Sequence, residues 1–131
     1  MNPETLAVSE IFESVQGEGP SAGTPSVFLR LSLCNLRCSF CDTPYTWDFK
    51  RFDRAREVRE MTIDEVRDVI TGFHAENLVL TGGEPLLQAE GIARLLERLP
   101  AMRTEVETAG TLLPGAALDA RIDQWNVSPK L

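Results

Sequence analysis

Histidine is almost missing from this sequence: His74 is the single one in 131 residues. Cysteine is missing everywhere except one window of eight residues, which holds Cys34, Cys38 and Cys41. No apolar run approaches the roughly 20 residues that a membrane-spanning helix needs. The start, Met1-Asn-Pro-Glu-Thr5, has neither the basic region nor the apolar core of a signal peptide. Cations are in deficit, 13 Lys and Arg against 20 Asp and Glu, for a net charge of −7. That balance argues against a non-specific electrostatic grip on nucleic acid. Internal repeats and low-complexity segments are also absent. These scarcities converge on the cysteines. Without an export signal, clustered cysteines read as a metal site in a reducing cytoplasm and not as a disulfide frame. A disulfide cannot use all three, and their close spacing strains most pairings. A closed zinc site needs a fourth ligand. His74 lies far along the chain beyond a helix-like segment, and reads as a surface or capping residue.

What is present fits one folded domain, residues 1–131. Hydrophobic residues make up 43% of the chain and charged residues 25%, which argues against disorder. Leu6–Phe12 and Val27–Leu33 have strand length and strand composition. Between them Val15-Gln16-Gly17-Glu18-Gly19-Pro20 is glycine-punctuated and reads as a turn. Arg30 stands inside the apolar run Val27-Phe-Leu-Arg-Leu-Ser-Leu33, so it is exposed at an edge, paired, or bound to an anion. Pro44–Glu60 is charged and irregular, and reads as a loop or a short, poorly defined helix. Thr62 with Glu65 fits a capping box, followed by Ile63, Val66, Val69, Ile70 and Phe73 at helical spacing. Leu78–Leu80 is a short buried strand running into Thr81-Gly-Gly-Glu-Pro85. Ile92, Leu95, Leu96 and Leu99 mark a second amphipathic helix. Thr104–Glu107 and Gln124–Val127 are strands, with a weakly helical stretch around Leu112–Leu118 between them. This alternation predicts an α/β fold with a mostly parallel sheet. The cysteines, Gly82–Glu84, Glu107 and Ser128–Lys130 then fall just past strand C-terminal ends, where parallel sheets carry their sites.

The spacing C-x3-C-x2-C lets three thiolates point at one centre. Iron–sulfur clusters are usually held by four thiolates. Three leave one iron of a [4Fe–4S] cube without a protein ligand, and an open coordination position marks a catalytic metal site. The cysteine loop, with Phe40 before its last cysteine, resembles the radical S-adenosylmethionine (SAM) superfamily. The second motif of that superfamily is matched by Gly82-Gly83-Glu84-Pro85. The resemblance implies a partial (β/α) barrel, a free iron that chelates the amino and carboxylate groups of SAM, and reductive cleavage of SAM to methionine and a 5′-deoxyadenosyl radical.

Within the superfamily the sequence resembles the 7-carboxy-7-deazaguanine synthases of the queuosine pathway along nearly its whole length. The segments that carry this are Ile11–Pro20, Phe28–Cys38, Cys41–Thr43, Tyr45–Trp47, Thr81–Pro85, Glu107–Thr111 and Ser128–Lys130. The implied reaction is a lyase-type ring contraction of 6-carboxy-5,6,7,8-tetrahydropterin, with hydrogen abstraction at C6, loss of ammonia and regeneration of SAM. Also implied are Mg²⁺, a reductant such as flavodoxin, a cytoplasmic setting and a homodimer. Residue by residue, Cys34, Cys38 and Cys41 would ligate the cluster, and Thr43 would ligate Mg²⁺, a hard oxygen for a hard cation. Phe40 and Asp42 would contact SAM through their backbone, Gly83 would allow close approach, and Glu84 would accept from the SAM amino group. Ser128, Pro129 and Lys130 would line the adenosyl end. Val15, Gln16 and Gly17 would hold the pterin edge, Arg30 would pair with the substrate carboxylate, and Thr81 would hydrogen-bond the substrate. Two departures stand out. Position 109 is Ala where the family often has a polar residue. The sequence also stops at Leu131, where family members run on by several tens of residues, so the domain is expected to be incomplete at that end. Two other readings explain the cysteines: another radical SAM enzyme such as a glycyl-radical activase, or a non-catalytic zinc module with a ligand from a partner chain. The first does not account for Arg30, Thr43 or Ser128–Lys130, and the missing fourth ligand counts against the second.

Overall fold

The structure, a computed structural model, describes residues 4–17, 19–32 and 59–129. Six strands form one open sheet: β1 (Thr5–Val15), β2 (Pro25–Leu31), β3 (Arg59–Thr62), β4 (Asn77–Gly82), β5 (Arg103–Thr108) and β6 (Gln124–Val127). Their order is β3-β1-β2-β4-β5-β6. From β2 to β6 neighbours pair in parallel. β1 runs antiparallel to both β2 and β3. The parallel half follows from the helices placed between its strands, because a parallel partner needs a crossover. These are α1 (Ile63–Thr71), α2 (Ala89–Arg98) and α3 (Ala116–Asp119), with a 3₁₀ turn (Pro85–Gln88) leading into α2. Among the described residues no helix is long and apolar enough to cross a membrane.

Period-2 alternation gives the sheet two unlike faces. Val27, Leu29, Leu31, Leu78, Leu80 and Val106 are fully buried. They share one core cluster with Ile63, Val66 and Ile70 of α1 and Ile92, Leu95 and Leu96 of α2. The alternate positions Ser26, Phe28, Arg30, Asn77, Thr81, Arg103, Glu105, Glu107, Gln124 and Asn126 make up the opposite, largely polar face. α1 starts where the capping box predicts: the Thr62 N–H donates to Glu65 Oε1 at 2.9 Å and the Glu65 N–H to Thr62 Oγ1 at 3.1 Å. Such a box holds two of the donors a helix start leaves open.

Several boundaries differ from the sequence reading: β2, β4 and β5 begin one or two residues earlier, the helix read around Leu112–Leu118 is confined to Ala116–Asp119, and β1 and β3 differ most. β1 runs on past Phe12 to Val15 in regular pairing with β2, and carries an irregularity in register earlier, between Val8 and Glu10. Glu13 and Ser14 have weak strand preference, but pairing with Val27 and Ser26 overrides it. Arg59 and Glu60, read as the end of a loop, lie instead in edge strand β3, where Arg59 pairs with Val8 and Glu60 with Ala7. Near the irregularity a side chain completes the pairing. The Gln88 Oε1 accepts the Ala7 N–H at 2.8 Å, and its Nε2 donates to the carbonyls of Ala7 at 3.1 Å and Ser32 at 3.0 Å.

Candidate functional site

Cys34, Cys38 and Cys41 lie outside the described residues, as do Phe40, Asp42, Thr43 and Lys130. Ser32, two positions before Cys34, is described. Its backbone N–H donates to the Ala7 carbonyl at 2.9 Å. Its Oγ is buried without a hydrogen-bond partner among the described residues. A buried hydroxyl left without a partner calls for an explanation, and a donor at the threshold of a thiolate loop suits an anionic iron–sulfur group.

The remaining predicted residues are distributed over the C-terminal ends of the strands and over the polar face. Arg30 and Thr81 are register partners on β2 and β4, so their side chains stand side by side on that face. The Arg30 Nε–H donates to Glu10 Oε1 at 2.9 Å, with the arginine side chain 20% exposed. Its guanidinium lies 5.8 Å from the Phe12 ring centroid, and Phe12 in turn stacks on Phe28 at 5.1 Å and 6°. A planar cation fixed by an aromatic below and a carboxylate at its side presents its fork in one orientation, the geometry that suits a carboxylate partner.

One layer down, Val15–Gly17 ends β1 and begins a loop that crosses the same face. Its closure comes from the backbone: Gln16 N–H to Thr24 carbonyl at 2.9 Å and Gly23 N–H to Gln16 carbonyl at 2.7 Å. The Gln16 side chain is buried and donates from Nε2 to Glu105 Oε1 at 3.1 Å. Glu105 itself was not singled out from the sequence. It is fully buried. Its Oε1 also accepts from Gln124 at 3.2 Å and Asn126 at 3.0 Å, and its Oε2 from Asn77 at 2.7 Å and Arg103 at 2.7 Å. Burial pushes this carboxyl's pKa up, but hydrogen bonds from Asn77, Ser21, Asn126 and Gln16 outweigh it and bring it down to about 2. In the sequence Glu105 is one of three charges, Arg103, Glu105 and Glu107, that alternate with Thr104 and Val106, and nothing local sets it apart from the other two.

The third group lies at the strand ends. Gly82 closes β4 with φ +152, and a Cβ there would sit 2.3 Å from the Leu31 carbonyl oxygen, so only glycine fits between the strands. Glu84 is 1% exposed. Its carboxylate accepts the Thr108 hydroxyl at 2.8 Å, the Ala109 N–H at 2.9 Å and the Leu86 N–H at 3.0 Å. Ser128 follows β6, with its N–H on the Thr108 carbonyl at 2.8 Å, and both it and Pro129 are exposed. Gly82–Glu84, Thr108–Gly110 and Ser128–Pro129 are therefore neighbours along one edge of the sheet, the edge to which Ser32 also leads. Glycine backbone, exposed strand ends and a buried brace suit a ligand that lies across an edge. Among the described residues no group of three His, Cys, Asp or Glu side chains is placed to hold a metal.

The comparisons with known proteins agree with this arrangement. The 7-carboxy-7-deazaguanine synthase of Halobacterium salinarum is 46% identical over 130 residues, covering 96% of this chain and 46% of the relative. That of Rhodopirellula baltica is 45% identical over 130 residues, covering 97% and 46%. The chain spans about half the length of these curated relatives. A crystal structure of QueE from Escherichia coli superposes with a TM-score of 0.72 at 29% identity, over 97% of this chain and 60% of that one. The family description "Radical SAM superfamily" matches residues 30–128, from the arginine beside the cysteine loop to the serine after the last strand. With the cysteine motif and the strand ends of β4, β5 and β6 all inside that match, which spans well over half of the sequence, the chain belongs to the radical SAM superfamily.

Proposed function

We propose that the protein is a 7-carboxy-7-deazaguanine synthase, contracting the ring of 6-carboxy-5,6,7,8-tetrahydropterin to 7-carboxy-7-deazaguanine with release of ammonia. The observation that carries this reading is the likeness to relatives of that name over nearly all of this chain, at 46% and 45% identity. Superfamily membership implies a [4Fe–4S] cluster and SAM. The donor set fits: three thiolates at this spacing leave one iron open. When bound, cluster and SAM supply hydrogen-atom abstraction from C6 of the substrate.

The chain's own residues then have separable tasks. Cys34, Cys38 and Cys41 hold the cluster, and Phe40, Asp42, Gly83, Glu84, Ser128, Pro129 and Lys130 form the SAM side. On the polar face Arg30 meets the substrate carboxylate. It already holds a carboxylate, that of Glu10, through Nε, and a guanidinium carries five N–H donors. Thr81, its neighbour in register, offers a hydroxyl within the same half-buried layer. Val15, Gln16 and Gly17 border the pterin edge, with the Gln16 side chain fixed by Glu105, so the polar groups facing the heterocycle are preorganised. Thr43 contributes one oxygen to Mg²⁺, completed by the substrate. A cytoplasmic homodimer reduced by a flavodoxin-type donor completes the reading.

Anaerobic reconstitution with iron and sulfide tests it, followed by SAM, dithionite, Mg²⁺ and the carboxypterin, with the product read by mass and absorbance. Formation of 7-carboxy-7-deazaguanine is expected. An intact cluster that cleaves SAM yet leaves the carboxypterin unconverted would overturn the substrate assignment.

A further inference from the structure

The glutamate of the Gly82-Gly83-Glu84 turn faces inward. A carboxylate accepts about four hydrogen bonds. Three donors already occupy that of Glu84: Thr108 Oγ1 within 2.8 Å of both oxygens, the Ala109 N–H at 2.9 Å and the Leu86 N–H at 3.0 Å. With 1% of the residue exposed, the carboxylate is spent mainly on the protein's own donors and is turned away from solvent. The Thr108 hydroxyl is committed in both directions, because its oxygen also accepts the Gly110 N–H at 3.1 Å. Gly110 sits at φ +78, where a Cβ would lie 2.8 Å from Val127 Cγ1. The turn after β4 is thus fastened to the turn after β5, and the turn after β5 lies against the end of β6. The first link lies beyond the strand ladder, since the β4–β5 register ends at Leu80 and Val106, whereas the second adjoins the Thr108–Val127 pair that ends the β5–β6 register.

We infer that Glu84 and Thr108 are positioning residues: the Glu84 carboxylate and the Thr108 hydroxyl form a buried brace that sets the Gly82–Glu84 turn against the end of β5, and this carboxylate is not the group that meets SAM. The inference rests on the reading above that this turn borders SAM. It adds Thr108, a residue with no assigned role, and changes the role of Glu84 from ligand contact to support.

The two roles separate on Thr108→Val, which deletes the hydroxyl at nearly constant volume and leaves the Glu84 carboxylate in place. If the carboxylate binds SAM directly, Thr108→Val leaves SAM affinity unchanged or raises it. If it is a brace, SAM affinity of the cluster-loaded protein falls by about tenfold or more, as expected for the loss of a bond to a charged group. Amide exchange at Ala109 and Gly110 rises by about tenfold to a hundredfold in the same variant. Thr108→Ser, which keeps the hydroxyl, stays near wild type in both measurements. Calorimetric SAM binding and residue-resolved hydrogen exchange read the two arms. Unchanged exchange and affinity in Thr108→Val would overturn the brace. So would Glu84→Gln abolishing SAM binding while Ala109, Gly110 and Leu86 exchange as in wild type, an arm that also serves if the valine variant does not fold. Wild-type protein that fails to bind SAM would remove the functional reading, while the exchange arm still decides whether the brace exists.

Discussion

Replacing Glu105 by glutamine tests how much of the fold hangs on one buried charge. Its two carboxylate oxygens take side-chain N–H groups from Gln16, Asn77, Arg103, Gln124 and Asn126. Glutamine puts an NH₂ where one oxygen was, so donors would face donors on one side of the hub. The pKa gives the magnitude. The carboxyl falls from an ordinary 4.5 to about 2 in the folded protein, and a pH unit of difference is worth about 1.4 kcal/mol. Glu105 therefore contributes about 3 kcal/mol of stability. A depressed carboxyl pKa places that contribution above the unfolded value, and it is lost as pH falls from 4.5 towards about 2. Glu105→Gln should lose about 3 kcal/mol at pH 7, a large share of a typical total of about 5–15 kcal/mol. Its stability should then fall more gently than wild type between pH 4.5 and 3. Urea unfolding followed by circular dichroism across that range reads both quantities. A glutamine variant within about 1 kcal/mol of wild type at pH 7, with the same acid slope, would refute the account.

Three further outcomes are expected. Gly82→Ala must place a Cβ 2.3 Å from the Leu31 carbonyl oxygen at φ +152, so a loss of about 3 kcal/mol or more in urea unfolding is expected; a loss below about 1 kcal/mol would mean the strands part easily there. Arg30→Lys keeps the charge but not the fork and should weaken carboxypterin binding about tenfold to a hundredfold while sparing SAM; equal losses for both would make Arg30 structural. Cys34→Ala, Cys38→Ala and Cys41→Ala should each abolish iron and sulfide uptake and the brown absorbance, because the sequence holds no spare thiolate; full cluster content in any of them would refute the ligand set.

Patterns confined to a few neighbouring residues were readable without the structure. Thr62 and Glu65 announce a helix start because both hydrogen bonds span three residues. Leu78–Leu80 announces a buried strand because the helices cover it. Arg30 stood out as a charge inside an apolar run. Glu105 did not, because its justification is distant: Gln16 is 89 positions away and Asn77 is 28, and no local rule joins them. β3 was missed for a related reason. Arg-Glu-Met-Thr has no strand composition, and its four residues are extended because β1 offers them an edge. The inward turn of Glu84 was also hidden, since a motif names a residue without saying which way its side chain points.

The residues that flank the segment 33–58, one just after β2 and one in β3, both bond to β1. Ser32 at its start donates to the Ala7 carbonyl, and Arg59 at its end pairs with Val8. Gln88 clamps the first of these anchors from the helix side. In polymer terms the sheet closes a ring whose two ends are fixed whatever lies between them. The entropic cost of closing such a ring grows only with the logarithm of its length, about 0.6 kcal/mol per doubling for a flexible chain. For a ring of that kind a change in length alters the closure cost only slightly. Breaking Gln88 or the Val8–Arg59 pairing would instead release one of the two anchors on β1.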